Sequence, residues 1–185
     1  MPYPSKLSRE AIVRRATELL EGGDPEALSM RTLAAALEVR PSSLYGHFAD
    51  RAALEVAIAD GAAGRLRSAM LAAAHRQDPP GALRGAAHAY LGFARTHPLL
   101  YGLLLAPRPP APATPGPAKD LWNFVLTLVG DITGIADDTS AAVALWAFLH
   151  GFVLLERSGQ FGLSGPLGGF ETGLNALLEG FAPSE

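Results

Sequence analysis

Residues 28–51 read LSMRTLAAALEVRPSSLYGHFADR, and this stretch decides the fold of the N-terminal region. It predicts two short helices, one over residues 30–37 and one from Pro41 to Gly46, joined by a tight turn at residues 38–39. Ser29 can cap the first helix because its hydroxyl accepts a hydrogen bond from an unpaired backbone N–H. Pro41 suits the first turn of the second helix because no N–H is left unpaired there. A pair of short helices joined in this way can enter the major groove of DNA.

The side chains of this stretch divide into an inner and an outer set. The inner set is apolar and has the spacing of an interior: Leu33, Ala34, Leu37, Val39, Leu44 and Phe48. The outer set carries guanidinium, hydroxyl, phenol and imidazole groups, which hydrogen-bond phosphates and base edges. Its members are Arg31, Arg40, Ser42, Ser43, Tyr45, His47 and Arg51. By chemistry alone, a helical hairpin with an ordinary solvated surface fits this pattern equally well.

The same stretch resembles the signature of the tetracycline-repressor (TetR) family. The resemblance covers residues 8–60 and is carried by the Leu-Ala pair at 33–34, the Leu-Tyr-Gly-His-Phe run at 44–48 and the basic residue Arg51. It implies a helix-turn-helix DNA-binding domain over residues 1–50. It also implies a helical ligand-binding and dimerisation domain over residues 51–185.

The resemblance further implies which side chains meet the DNA. Arg31 would approach a base or a phosphate, Tyr45 and His47 would bind phosphates, and Arg51, where the family more often has lysine, would reach a phosphate beside the fourth helix. Four residues would form the exposed start of the recognition helix, where base contacts occur: Arg40, Pro41, Ser42 and Ser43.

Two residues depart from the family pattern. Glu38 stands where the family usually has glycine, so the turn must form without glycine's conformational freedom. Gly46 replaces a residue that is commonly larger, which removes one possible contact.

Helical periodicity dominates the rest of the chain, and no alternating strand pattern is convincing, so we predict an all-α fold of roughly nine helices. Helix starts are predicted at four caps: Ser8, Ser29, Asp50 and the Asp137–Asp138 pair. Breaks are predicted at residues 78–81, before Pro98, and in the proline-rich segment 107–117, which we expect to be extended. Apart from the two short helices of residues 30–46, the predicted helices cover residues 9–21, 51–75, 82–96, 99–105, 118–133, 138–158 and 170–181.

The C-terminal body resembles a subgroup of the same family. The run from Trp146 to Glu156 is similar to the motif that names the WHG domain, with His150 and Gly151 at its other markers. The resemblance implies a ligand pocket, for which the candidates are His88, Tyr90, Phe93, Trp122, Phe124, Trp146 and His150. It also implies a two-helix dimer face, for which the candidates are Leu145, Leu149, Phe152, Leu174, Leu177, Leu178 and Phe181.

Composition is compatible with an all-α fold but does not by itself indicate DNA binding. Hydrophobic residues make up 49% of the 185 residues, enough for a sizeable core, and the formal net charge is −3. Charges within residues 1–51 sum to zero, so a DNA-binding function must rest on where particular side chains lie. The chain has no cysteine, which rules out disulfides and fits a cytoplasmic location.

Other functional classes find little support. The apolar run Ala141–Leu155 would span ~22 Å as a helix, less than the ~30 Å of a bilayer core, so we predict a buried helix that a partner subunit could help to cover. His88, His97 and His150 are irregularly spaced and are not expected to bind a metal, and His97 and His150 are expected to be hydrogen-bonded structural residues. No cofactor is expected. Ser164 lacks the setting of a hydrolase nucleophile.

The sequence therefore predicts a ligand-responsive transcription regulator, expected to be a repressor. It would bind a near-palindromic operator as a homodimer and be released by a small apolar effector. A helical small-molecule-binding or metal-storage protein that has lost DNA binding is the alternative, supported by Glu38, Gly46 and the neutral N-terminal charge.

Overall fold

The computed structural model describes residues 7–23, 28–107 and 116–183, and within these ranges the chain is built from helices joined by turns. The prediction of an all-α fold is confirmed. The helices are α1 (Arg9–Glu21), α2 (Met30–Ala36), α3 (Pro41–Tyr45), α4 (Arg51–Ala74), α5 (Pro79–Thr96), α6 (Pro98–Leu105), α7 (Pro117–Thr133), α8 (Thr139–Arg157) and α9 (Gly169–Phe181).

Side-chain caps fix the starts of four helices where the sequence predicts them. In each case an oxygen of the cap accepts a hydrogen bond from the backbone N–H three residues later; the caps are Ser8, Ser29, Asp50 and Asp138. Such a cap stabilises a helix by about 1 kcal/mol. The helix boundaries that the caps define are therefore properties of the local sequence.

Prolines account for three differences from the predicted boundaries, since α5, α6 and α7 each begin at a proline that the prediction left outside the helix. Helix α5 begins at Pro79, inside the predicted break, and the Asp78 carboxylate accepts a hydrogen bond from the N–H of Gly81 at 3.2 Å. Helix α7 begins at Pro117, which was assigned to the extended segment. Proline fits the first turn of a helix because its φ is already helical and its missing N–H needs no partner. Residues 108–115 of the predicted extended segment lie outside the described residues.

The chain divides into two compact units. The first unit contains the described residues up to Ala63 together with residues 97–107. The second unit contains Gly64–Thr96 and the described residues from 116 onward. This division differs from the predicted boundary between residues 50 and 51. Helix α6 packs against α1 within the first unit, and the first half of α4 belongs there too.

The first unit has an apolar core that supports α2 and α3. Ile12 and Leu20 of α1, Leu44 of α3, Leu54 of α4 and Tyr101 of α6 are all buried in it. Each fully buried side chain of this size contributes about 1.5–3 kcal/mol. A polar contact adds to this packing, since Nδ1 of His97 lies 2.9 Å from Oε1 of Glu21.

The second unit is formed by the second half of α4 and by α5, α7, α8 and α9. Helix α5 packs against α7 and α8, and α9 packs against the same two helices. Gly173 lets α9 approach α8 closely, because a Cβ there would collide with the ring of Phe148. Gly85 does the same for α5, since its Cβ would lie 2.5 Å from the carbonyl oxygen of Ala73.

Candidate nucleic-acid interface and ligand region

The turn between α2 and α3 forms despite the absence of glycine. Glu38 has a φ of 57°, in the left-handed region that L-residues rarely adopt. Backbone hydrogen bonds hold it there, from Glu38 N–H to Ala35 C=O at 3.1 Å and from Val39 N–H to Ala34 C=O at 3.0 Å. A left-handed conformation costs a non-glycine residue about 1 kcal/mol. The departure from the family pattern is thus a local strain that the turn tolerates.

The inner and outer sets of the reader, the segment formed by α2, the turn and α3, are separated by burial. Leu33, Ala34, Leu44 and Phe48 are buried, and Leu37 and Val39 are half-buried. The predicted DNA contacts lie outside: His47 is half-buried, and the exposed ones are Arg31, Arg40, Pro41, Ser42, Ser43, Tyr45 and Arg51. Tyr45 is 54% exposed, which is unusual for a large aromatic residue and leaves its hydroxyl accessible to a partner.

Arg9, an exposed residue of α1, contacts the segment that follows the reader. Its Nη1 donates a hydrogen bond to the carbonyl oxygen of His47 at 2.8 Å, and its Cζ lies 4.1 Å from the ring centroid of Phe48. A cation–π contact at an exposed site contributes about 0.5–1 kcal/mol. Arg9 therefore fastens the start of α1 to the segment that follows α3. Helical periodicity could not reveal this, because the contact spans 38 residues.

Arg51 has an intramolecular partner of its own. Its Nε lies 2.7 Å from Oε1 of Glu55, one turn further along α4. An arginine and a glutamate four residues apart on a helix are within reach of each other, so the spacing of Arg51 and Glu55 is itself a signal for this pair.

Four of the predicted pocket residues form one aromatic cluster in the second unit. The ring centroid of Trp146 lies 4.7 Å from that of His150, 5.7 Å from that of Tyr90 and 6.2 Å from that of Trp122. The hydroxyl of Tyr90 is hydrogen-bonded to Nδ1 of His150. Burial lowers the pKa of His150 to about 4, so its imidazole is neutral near pH 7.

The other predicted pocket residues are placed differently. His88 is exposed, with its Nε2 2.9 Å from Oε1 of Glu171 and its ring centroid 5.4 Å from that of Phe170. Phe93 is buried and Phe124 is half-buried.

Two cavities in the described part of the chain have other linings. One of about 390 Å³ is lined by Leu126, Thr127, Gly130, Asp131, Gly134, Ala136 and Asp137, and one of about 70 Å³ by Ala52, Glu55, Val56, Ala59, Leu103, Ala106 and Pro107. Neither contains a predicted pocket residue, so a pocket at the aromatic cluster stays a prediction.

The predicted dimer face needs correction. Leu145, Leu149, Phe152 and Leu174 are buried inside the second unit, where a second chain could not reach them without opening the unit. Leu177, Leu178 and Phe181 are half-buried. The faces of α8 were misjudged because this helix is apolar on nearly all sides, and such a pattern does not tell which side faces the core.

A different face of α8 is apolar and uncovered. Val143 is 52% exposed, Leu154 54% and Leu155 47%, with exposed Ala144 and Ala147 between them. Only 28% of the most apolar window of α8 is buried within the chain, so the predicted buried helix is buried on one side alone. By length and composition alone, α8 could cross a membrane.

The histidines have separate partners. His97 pairs with Glu21 and His150 with Tyr90, as the structural roles predicted for them require. Among the described residues, no three His, Cys, Asp or Glu side chains come together as metal ligands.

Comparisons with known proteins cover both parts of the chain. Residues 12–58 match the family model for bacterial regulatory proteins of the tetR family, and residues 83–177 match the one for the tetracyclin repressor-like C-terminal domain. An uncharacterised HTH-type transcriptional regulator of Mycobacterium tuberculosis is 31% identical over 164 residues, which are 84% of this chain and 73% of that protein. The class C tetracycline repressor protein of Escherichia coli is 45% identical over 56 residues, 30% of this chain and 26% of that protein.

Solved structures share the fold. A protein of unknown function from Rhodococcus sp. RHA1 superposes with a TM-score of 0.75 at 24% identity, covering 98% of both chains. A TetR variant from Acinetobacter baumannii AYE in complex with minocycline superposes with a TM-score of 0.71 at 22% identity, covering 95% of this chain and 97% of that one.

Proposed function

The chain belongs to the tetracycline-repressor (TetR) family and is a ligand-responsive, DNA-binding transcription regulator; from this premise we propose how it acts. It is a repressor that binds a near-palindromic operator as a homodimer. A small apolar effector binds the second unit and releases the DNA.

The reader supports this proposal most directly. Hydrogen-bonding side chains of the predicted contacts are exposed except for the half-buried His47, while the apolar residues interleaved with them are buried or half-buried. This separation is the observation that carries the proposal. Ser42 and Ser43 offer hydroxyls to base edges, and Tyr45 and Arg51 offer donors to phosphates.

The charge of the chain bears on how it binds. With a formal net charge of −3, the protein has no bulk attraction to DNA, so affinity must come from a few local cations and hydroxyls. We expect a specific complex whose affinity falls with salt, with a slope that reports a small number of phosphate contacts.

The uncovered face of α8 supports the homodimer. A two-fold dimer uses the same patch on both subunits, and the stripe formed by Val143, Ala147 and Leu154 is apolar and narrow enough to pack against its own copy. To bind successive major grooves, the two recognition helices of the dimer must lie about 34–36 Å apart. This face replaces the buried residues of the predicted interface.

The aromatic cluster supports an apolar effector. Tyr90, Trp122 and Trp146 supply apolar surface, and the neutral imidazole of His150 adds few polar groups, which is the usual make-up of a small-molecule site. The structurally similar Acinetobacter TetR variant, solved in complex with minocycline, is a precedent for small-molecule binding by this fold. An effector shifts the protein away from DNA only by its differential affinity for the two forms.

The proposal places the protein in the cytoplasm and gives it neither a cofactor nor an enzymatic activity. Ser164 is exposed in the connector between α8 and α9, and the proposal assigns it no chemistry.

The test is selection of duplexes from a randomised DNA library by the full-length protein, followed by fluorescence anisotropy over a range of salt. We expect an inverted repeat with half-site centres about 10 base pairs apart or a multiple of that spacing. Tyr45→Phe keeps the ring and serves as a matched variant for the phenol hydroxyl. Failure to enrich any sequence, with no salt-sensitive complex, would remove the proposal.

A further inference from the structure

The ion pair between Arg51 and Glu55 involves a predicted phosphate contact. Nε of Arg51 lies 2.7 Å from Oε1 of Glu55 in the protein without DNA. In the proposed complex the same guanidinium binds a phosphate. The carboxylate and the phosphate are therefore two anionic partners of one cation, and each lowers the positive charge that the other meets.

Helix stability does not explain the pair. Arg51 is the first residue of α4, where the helix macrodipole disfavours a positive charge. A pair with the cation on the N-terminal side is also the weaker of the two possible orders at this spacing. The side chains are 52% and 32% exposed, and exposed pairs add little to stability. The consequence of the pair is therefore to be sought at the DNA-binding surface.

The contact occupies part of the Arg51 guanidinium. In a helix each Cα–Cβ bond tilts toward the N-terminus, so the Glu55 side chain lies over the turn that contains Arg51. Its carboxylate meets Nε of Arg51 there and takes one of the donors that a phosphate would use.

We propose that Glu55 is a positioning residue for DNA binding. Its carboxylate holds the guanidinium of Arg51 until a phosphate displaces it. This rests on the proposed function. Phosphate contacts carry no sequence information, so Glu55 lowers affinity for all duplexes alike. Specific and nonspecific binding are therefore weakened by the same factor.

A double-mutant cycle tests this, using the full-length protein, a duplex enriched from the randomised library and a scrambled duplex of equal length. Glu55→Gln is expected to tighten binding to both duplexes by about two- to fivefold. In the Arg51→Gln background, the same substitution should have only the small effect of removing a negative charge near DNA. Glu38→Gln, at an exposed acid of the reader, measures that general effect.

Glu55→Asp separates contact from charge. It keeps the carboxylate but shortens its reach, so binding should tighten although the net charge is unchanged. Equal effects of Glu55→Gln in both Arg51 backgrounds, or weaker DNA binding by Glu55→Gln, would overturn the inference while leaving the proposed function intact. If the wild-type protein forms no salt-sensitive DNA complex, the proposed function fails, and the inference fails with it.

Discussion

The reader and helix α8 were both predicted from apolar spacing, and the prediction succeeded in one and failed in part in the other. In the reader, the residues predicted to be inside are buried or half-buried, and most of the predicted contacts are exposed. In α8, Leu145, Leu149 and Phe152 were predicted to meet a second chain but lie in the core of their own unit. The difference is that polar residues mark the outer face of the reader, whereas α8 has few polar residues to mark any face.

The largest expected effect would confirm that the inner set of the reader is structural. Phe48→Ala should destabilise the protein by about 3–5 kcal/mol, because it empties a buried aromatic site and removes the ring beneath Arg9. Thermal unfolding followed by circular dichroism measures this. Tyr45→Ala, at the neighbouring exposed aromatic, should leave the melting temperature nearly unchanged while weakening DNA binding. Similar losses of stability for both would break the distinction between inner and outer sets.

The next effect tests the two faces of α8. Leu149→Ala should destabilise the fold by about 2–5 kcal/mol, because its side chain is buried in its own unit. Leu154→Ser, on the uncovered face, should instead shift the protein toward monomer in sedimentation velocity. A monomeric Leu149→Ala protein of wild-type stability, with a dimeric Leu154→Ser protein, would restore the original face.

The half-buried His150 predicts how the stability of the fold depends on pH. The pKa of His150 is lowered from 6.5 to about 4 in the folded protein, so the unfolded chain binds a proton first as pH falls. The contribution of the neutral His150 to the free energy of unfolding is complete above pH 6.5 and is lost as pH falls toward 4. Since the side chain is partly exposed, we expect this contribution to be about 1–2 kcal/mol.

Urea unfolding across this pH range measures the effect in the wild type and in two variants. His150→Gln should flatten this part of the pH profile, and His88→Gln, at an exposed histidine of the same unit, is the matched control. A profile unchanged by His150→Gln would contradict the assignment.

Glu38→Gly tests the strained turn of the reader. Glycine adopts a positive φ without steric cost, so the substitution should stabilise the fold by up to about 1 kcal/mol, less what glycine loses in chain entropy. Glu38→Ala keeps a Cβ and should give no such gain. A melting temperature that rises equally for both would show that the carboxylate, rather than the backbone, is the source of strain.

The smallest expected effect concerns Arg9. Arg9→Ala should reduce stability by about 0.5–1 kcal/mol and weaken DNA binding, because the segment after α3 loses its tie to α1. Arg9→Lys keeps the charge but cannot reproduce the planar fork that both stacks and donates. If Arg9→Lys matched the wild type in anisotropy, charge alone would account for the role of Arg9.

Much of the fold could be predicted because its signals are local. Ser8, Ser29, Asp50 and Asp138 cap helices through bonds that span three residues, so the sequence around them suffices. The prediction of the site was less complete. Arg9 and Glu55 were missed, the first because its partners are distant in sequence, the second because no rule of spacing tells which of several possible partners an arginine takes.

The sequence by itself determined the starts of the four capped helices, and it determined the reader with its inner and outer sets. These features depend on hydrogen bonds and periodicity within a few residues. Tertiary structure decided which side of α8 is buried, how His88 and His150 differ in surroundings, and where Arg51 rests. These depend on which helices meet, and burial and electrostatic pairing are set by neighbours that are remote along the chain.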